Sequence, residues 1–204
     1  MGVFGDRMMV RVVQIGAMSL ALMLSGAAWA DQVDLAGQVC ADGPHWSDTE
    51  PAINLAHVFC GEVKSNGRAA GFHARPGGVN PATITSVEIT QPANTSGVYA
   101  GMVTFAKPDA SAGASSERRD PVKFSSIFPD SCSFDQIVAS ILSAHDNRTD
   151  CPAGSPGWWQ CGLNRPKDAA LSAGLCVGDD PDGVFTIAIG LLRDGRINTA
   201  FPLR

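Results

Sequence analysis

Positive charge is scarce in this chain, whose 204 residues carry 15 lysines and arginines against 20 aspartates and glutamates. That balance does not suit a protein that tracks a long nucleic acid by charge alone. A local cluster of Lys64, Arg68, Arg75, Arg118, Arg119 and Lys123 still leaves room for a site that holds one phosphodiester. Cys-x-x-Cys pairs are absent, which disfavours a zinc site. Beyond residue 24 no apolar run approaches the roughly 18 residues that a membrane span needs. No internal repeat is present.

The first thirty residues have the form of a signal peptide. Arg7 and Arg11 precede an apolar run from Val12 to Leu24, and Ala28-Trp29-Ala30 has the small-x-small form of a cleavage site. Residues 31–204 are then one exported domain, periplasmic or secreted and off the membrane once the signal is removed. Without Arg7, Arg11 and Asp6 the remainder holds 13 basic and 19 acidic residues, a net charge near −6. All six cysteines, Cys40, Cys60, Cys132, Cys151, Cys161 and Cys176, fall in this part. An even count in an exported chain implies up to three disulfides, whose pairing the sequence leaves open.

Ser47-Asp48-Thr49-Glu50-Pro51 reads as a helix start, so a helix is expected to run towards Gly61 with His57 in its last turn, where the dipole favours a protonated imidazole. Asn66-Gly67 predicts a tight hairpin over residues 62–72. Thr83 to Thr90 and Val98 to Phe105 predict an antiparallel pair, and Lys107 to Asp120 a polar surface loop. Ser133 should cap a helix over Phe134 to His145, because Phe134, Ile137, Val138, Ile141 and Leu142 recur at helical spacing. Residues 147–183 lack clear periodicity and read as a cysteine-rich insertion, with a short helix near 167–173. Phe185 to Phe201 carries the clearest hairpin signal, turning at Asp194-Gly195. Helices and antiparallel strands without βαβ alternation predict an α+β fold: antiparallel sheets, helices packed to one side, disulfide staples.

His57 and His73 bound a glycine-broken segment that the hairpin folds back on itself, so both rings can face one cleft. Histidine, with an unperturbed pKa of about 6.5, can serve as base in one copy and acid in another. Cleaving RNA without a metal or other cofactor needs a base for the 2′-OH, an acid for the departing 5′ oxygen and a cation near the phosphate. Two histidines and a lysine meet that need. Four motifs occur in order: H-x-x-x-G-E at His57 to Glu62, G-F-H at Gly71 to His73, K-F-S-S-x-F-P at Lys123 to Pro129, and R-D-G-R-I-N-T-A-F-P at Arg193 to Pro202. Together they resemble the EndoU family of endoribonucleases, which includes bacterial toxin domains and the coronavirus uridylate-specific nuclease. The resemblance covers residues 53–146 and 184–203.

It implies an EndoU-like fold, His73 as base, His57 as acid and Lys123 as the cation. It further implies Gly61 and Gly71 as backbone contacts to phosphate, with Ser125 or Ser126, Thr199 and position 201 around a uracil. Phe201 stands where the family has tyrosine. The expected activity is cleavage of single-stranded RNA beside uridine, leaving a 2′,3′-cyclic phosphate. A secreted toxin is one biological version of it, with an immunity or inhibitor protein as a second partner. The alternative is a non-catalytic exported binding module that keeps the fold. His45 and His145 are expected at the surface, Lys107 lacks the lysine motif, and Trp158-Trp159 is expected to pack around the disulfides rather than on bases. Asn94-Thr95-Ser96 and Asn147-Arg148-Thr149 fit the glycosylation pattern but carry no weight here.

Overall fold

Short runs of β-branched and aromatic residues and one capped amphipathic helix set out the architecture seen in the computed structural model. It describes residues 37, 39–41, 43, 45–107, 120–166, 168, 174–180 and 183–204. The expected signal segment, Arg118, Arg119, most of the 107–120 loop and, apart from Asp168, the helix expected near 167–173 lie outside the described residues.

The chain folds as α+β, and every named strand pair is antiparallel. β1 (Glu62–Val63) and β2 (Ala69–Ala70) form the small hairpin. Its Asn66-Gly67 turn is closed by Lys64 N–H to the Arg68 carbonyl, with Gly67 at φ 79°. β3 (Ile84–Gln91), β4 (Tyr99–Phe105) and β5 (Val122–Ile127) make a three-stranded sheet in that order. β6 (Arg148–Thr149), β7 (Trp159–Leu163), β8 (Thr186–Leu191) and β9 (Ile197–Pro202) make the second sheet. The stretch 147–183, expected to be irregular, thus supplies two strands. Trp159–Leu163 is too short for its periodicity to stand out in sequence, and its pairing with β8 is what makes it a strand.

α1 (Phe134–Asp146) begins at a complete capping box, in which Ser133 accepts from the Gln136 N–H and the Gln136 side chain accepts from the Ser133 N–H. Its Ile137, Ile141 and Ala144 are fully buried against the second sheet. There Gly162 leaves no room for a Cβ beside the Ala144 carbonyl, so the helix can press onto β7. A separate cluster of Phe72, Ile84, Tyr99, Val103, Phe105 and Ile127 fills the inner face of the first sheet.

The helix expected from Ser47 does not form. Asn54 N–H donates to the Ile197 carbonyl, and Ile197 N–H donates to that of Ala52, so Ile53 lies beside β9 as an isolated parallel bridge. Ser47 Oγ accepts from Ile53 N–H, six residues on, rather than capping a helix. Burying Ile53 and Ile197 completely outweighs the local capping signal. Only one π-type turn, Ala56–Cys60, remains helical, and it is too short for a macrodipole argument to bear on His57.

The six cysteines pair as Cys40–Cys60, Cys132–Cys176 and Cys151–Cys161, a set compatible with an exported protein. Among the described residues no helix is long and apolar enough to cross a membrane.

Candidate active site

The turn that carries His57 is fixed from both ends. Asn54 Oδ1 accepts from the His57 N–H at 3.0 Å, and Cys60 is tied to Cys40 and hydrogen-bonded through its carbonyl by Thr83. The G-F-H segment is then bonded directly to that turn: Phe72 N–H donates to the His57 carbonyl at 2.8 Å and His73 N–H to the Val58 carbonyl at 2.7 Å. Such closeness requires glycine at position 71, where φ is 72° and any Cβ would overlap the His57 carbonyl oxygen. Phe72 also has a left-handed backbone, with φ 60°, which its fully buried ring holds in place. The local backbone therefore sets where both imidazoles point. Their ring centres are 6.2 Å apart, close enough for one phosphodiester to reach both.

Each ring has one nitrogen engaged. His73 Nδ1 lies 3.0 Å from the Ser126 carbonyl, which can only accept, so Nδ1 carries the proton and Nε2 is left as a base. His73 is buried, and loss of solvation, with help from Lys123 and His57, holds its pKa well below the usual histidine value. His57 Nδ1 faces Glu62 Oε1 at 3.4 Å. Burial lowers its pKa as well; the Glu62 carboxylate opposes that shift, and Lys123 and Lys64 add to it.

Lys123 lies on β5, and its Nζ donates to the Gly71 carbonyl at 3.0 Å and to Ser125 Oγ at 2.8 Å. An ammonium has a third N–H for a ligand. Burial pushes its pKa down to about 8. Ser125 Oγ donates in turn to the Phe72 carbonyl at 2.6 Å and sits 3.3 Å from His73 Nδ1. Lysine, serine and histidine thus share one hydrogen-bonded cluster.

These groups line a cleft of about 660 Å³ between the two sheets, together with Gly71, Ser126, Thr199 and Phe201. Arg68 and Arg204 add positive charge, and among the described residues that line it there is no Asp or Glu side chain. An acidic chain can therefore still present a cationic cleft to a phosphate. Phe201 stacks on the His73 ring with centroids 5.1 Å apart and meets Trp159 edge-on at 5.0 Å.

A model of the bacterial EndoU nuclease family matches residues 52–204. The chain belongs to that family. No curated protein and no solved structure matches it.

Against the EndoU expectation, Gly61 is not brought to the cleft: its N–H donates to the Ala56 carbonyl, and its missing Cβ makes way for Phe105 and Phe72. Arg75 leaves the expected basic cluster, because it is bound to Tyr99 and Asp130. Lys107 pairs with Asp120 away from the cleft. His145 bonds to Asp146 and Arg148 at the end of α1, and exposed His45 lies in a neighbouring groove. Trp158 and Trp159 do line the cleft, contrary to the packing role read from sequence, as do Asn198 and Arg204. Adjacent tryptophans in an otherwise polar stretch were the available signal. Their side of the molecule becomes evident only once β7 pairs with β8.

Proposed function

We propose that this EndoU protein is an exported endoribonuclease that cleaves single-stranded RNA beside uridine by transesterification. The observation that carries the reading is the meeting of two imidazoles and the Lys123 ammonium in one cleft that has no carboxylate among its described lining side chains. The ribose 2′ oxygen attacks the adjacent phosphorus while its proton passes to His73 Nε2. The P–O5′ bond breaks, and the departing oxygen takes a proton from His57. The products are a 2′,3′-cyclic phosphate and a 5′-hydroxyl strand. Lys123 stabilises the charge that gathers on the non-bridging oxygens, and proximity favours attack because nucleophile and phosphorus share one nucleotide. Gly71, which lines the cleft, offers its backbone to the phosphate, and Ser126 and Thr199, with Phe201 as a stacking face, surround the uracil. No step calls for a metal. An immunity or inhibitor protein would accompany a version of this enzyme aimed at competing cells.

The test is cleavage of a fluorogenic uridine-containing oligonucleotide by the oxidised protein in EDTA, with the product mass read for a cyclic phosphate. Intact oligonucleotide after prolonged incubation would leave a binding module in its place.

The pH profile offers a second check. His73 must be neutral, so kcat/KM rises as pH climbs through its depressed pKa. His57 must be protonated and Lys123 charged, so activity falls as pH climbs first through the pKa of His57, below 6.5, and then through about 8. The optimum should lie on the acid side of neutrality. Glu62→Gln removes the carboxylate that raises the His57 pKa, so its falling limb should move to lower pH while the rising limb stays. An unmoved falling limb would detach His57 from the acid role.

Phe201 supplies a ring face but no hydroxyl. Base stacking contributes about 1–3 kcal/mol and tolerates any base, so Phe201→Ala should impair binding and cleavage strongly, the more so because the ring also supports His73. Phe201→Tyr should raise the rate or sharpen the uridine preference. Four oligonucleotides differing at one nucleotide check this, and equal rates for Phe201→Ala and the natural protein would move the base elsewhere.

A further inference from the structure

Trp158 is 58 % exposed, the largest fraction among the large apolar side chains of the described residues. Its six-membered ring lies against Gly190 of β8, so closely that a Cβ there would come within 2.8 Å of the ring. Glycine at 190 therefore provides a bed for the indole, while more than half of the residue's surface stays exposed and the residue lines the cleft. Trp159 stands between it and the reaction centre. It meets Trp158 at 5.9 Å with an 80° interplanar angle, and Phe201 at 5.0 Å with 79°. An unbroken run of rings thus leads from His73 through Phe201 and Trp159 to Trp158 at the mouth.

An exposed indole beside a cationic cleft is a surface on which a flat group can stack. A flat group that also carries phosphate suits this place, because the same cleft presents Lys123, Arg68 and Arg204 and no Asp or Glu side chain among its described lining residues. A second nucleobase of the same strand meets both conditions. We propose that Trp158 is a second base-stacking position, which holds the base next to the one at Phe201. The inference rests on the endoribonuclease reading for single-stranded RNA as the ligand. Its consequence is that the site grips at least two consecutive bases, with stacking rather than base-edge hydrogen bonds at the second.

The test separates binding from reaction. An RNA hexamer with a single 2′-deoxyuridine at the cleavage position keeps its bases but has no 2′-OH to react, and its Kd for the oxidised protein can be read by fluorescence anisotropy. Two further hexamers carry an abasic site on either side of that uridine. For the natural protein one of the two abasic hexamers should bind about 5- to 150-fold more weakly than the intact one. Trp158→Ala should lose a similar factor on the intact hexamer and become indifferent to that abasic site, while Trp158→Phe should keep part of it. Circular dichroism and thermal unfolding establish that the variants are folded. Equal binding of all three hexamers by the natural protein would overturn the proposal, as would a Trp158→Ala variant that stays equally sensitive to the abasic site. Cleavage of the all-ribose hexamer is scored separately. Flank-dependent binding without cleavage would remove the ribonuclease reading and keep the platform, and cleavage without flank dependence would remove the platform alone.

Discussion

Alanine at His73 should leave a folded protein that cleaves RNA about a hundred to ten thousand times more slowly, the usual loss when a general base or acid is removed. The expectation follows from the ring's setting. With Nδ1 bonded to the Ser126 carbonyl and its pKa depressed by burial, His73 is held as the neutral tautomer with Nε2 as its basic atom. His57→Ala should cost a comparable factor through the acid, and Lys123→Ala through the charge on the phosphate. Under the proposed mechanism the three share one transition state, so the His57→Ala/His73→Ala double variant should be little worse than either single one. His145→Ala, at the end of α1 and outside the cleft, is the matched control. The measurement is kcat/KM on a uridine-containing oligonucleotide with far-UV circular dichroism of each variant, and near-normal turnover by folded His73→Ala would refute the assignment.

The second large effect concerns stability. Cys132–Cys176 closes a separation of 44 residues and joins the start of α1 to the segment before β8, with both cysteines buried in the main core. Chain-entropy reasoning gives about 4 kcal/mol for a loop of that size, about 3.3 for the 20-residue separation of Cys40–Cys60 and about 2.7 for the 10-residue separation of Cys151–Cys161. Paired alanine substitutions should therefore lower Tm in that order. The first should fall by about 8–16 °C, taking roughly 2–4 °C per kcal/mol for a domain of this size. Removing Cys40–Cys60 should in addition reduce activity beyond its stability cost, because Cys60 ends the turn that carries His57. Thermal unfolding followed by circular dichroism gives the order, and a Cys132→Ala/Cys176→Ala pair as stable as the natural protein would contradict it.

What the sequence determined by itself is what acts over a few residues. Asn66-Gly67 and Asp194-Gly195 turn the chain because Gly67 and Gly195 take positive φ, Ser133 and Gln136 cap α1 reciprocally, and the spacing of Ile137 and Ile141 fixes its buried face. The four EndoU motifs likewise name His57, His73, Lys123, Ser125, Ser126, Thr199 and Phe201, all of which line one cleft. Tertiary structure decided what depends on partners far along the chain. The helix expected from Ser47 gave way because Ile53 finds Ile197 across the molecule, and two backbone hydrogen bonds with complete burial outweigh a capping signal. Gly61 proved to make room for Phe105 and Phe72 rather than for phosphate, since only packing shows what stands over a missing Cβ. Trp158 and Trp159 reached the cleft because β7 pairs with β8 and Gly190 lies beneath the indole, a contact no local pattern encodes. The histidine tautomer was also beyond local reach: Ser126 supplies the carbonyl that sets it, 53 residues after His73.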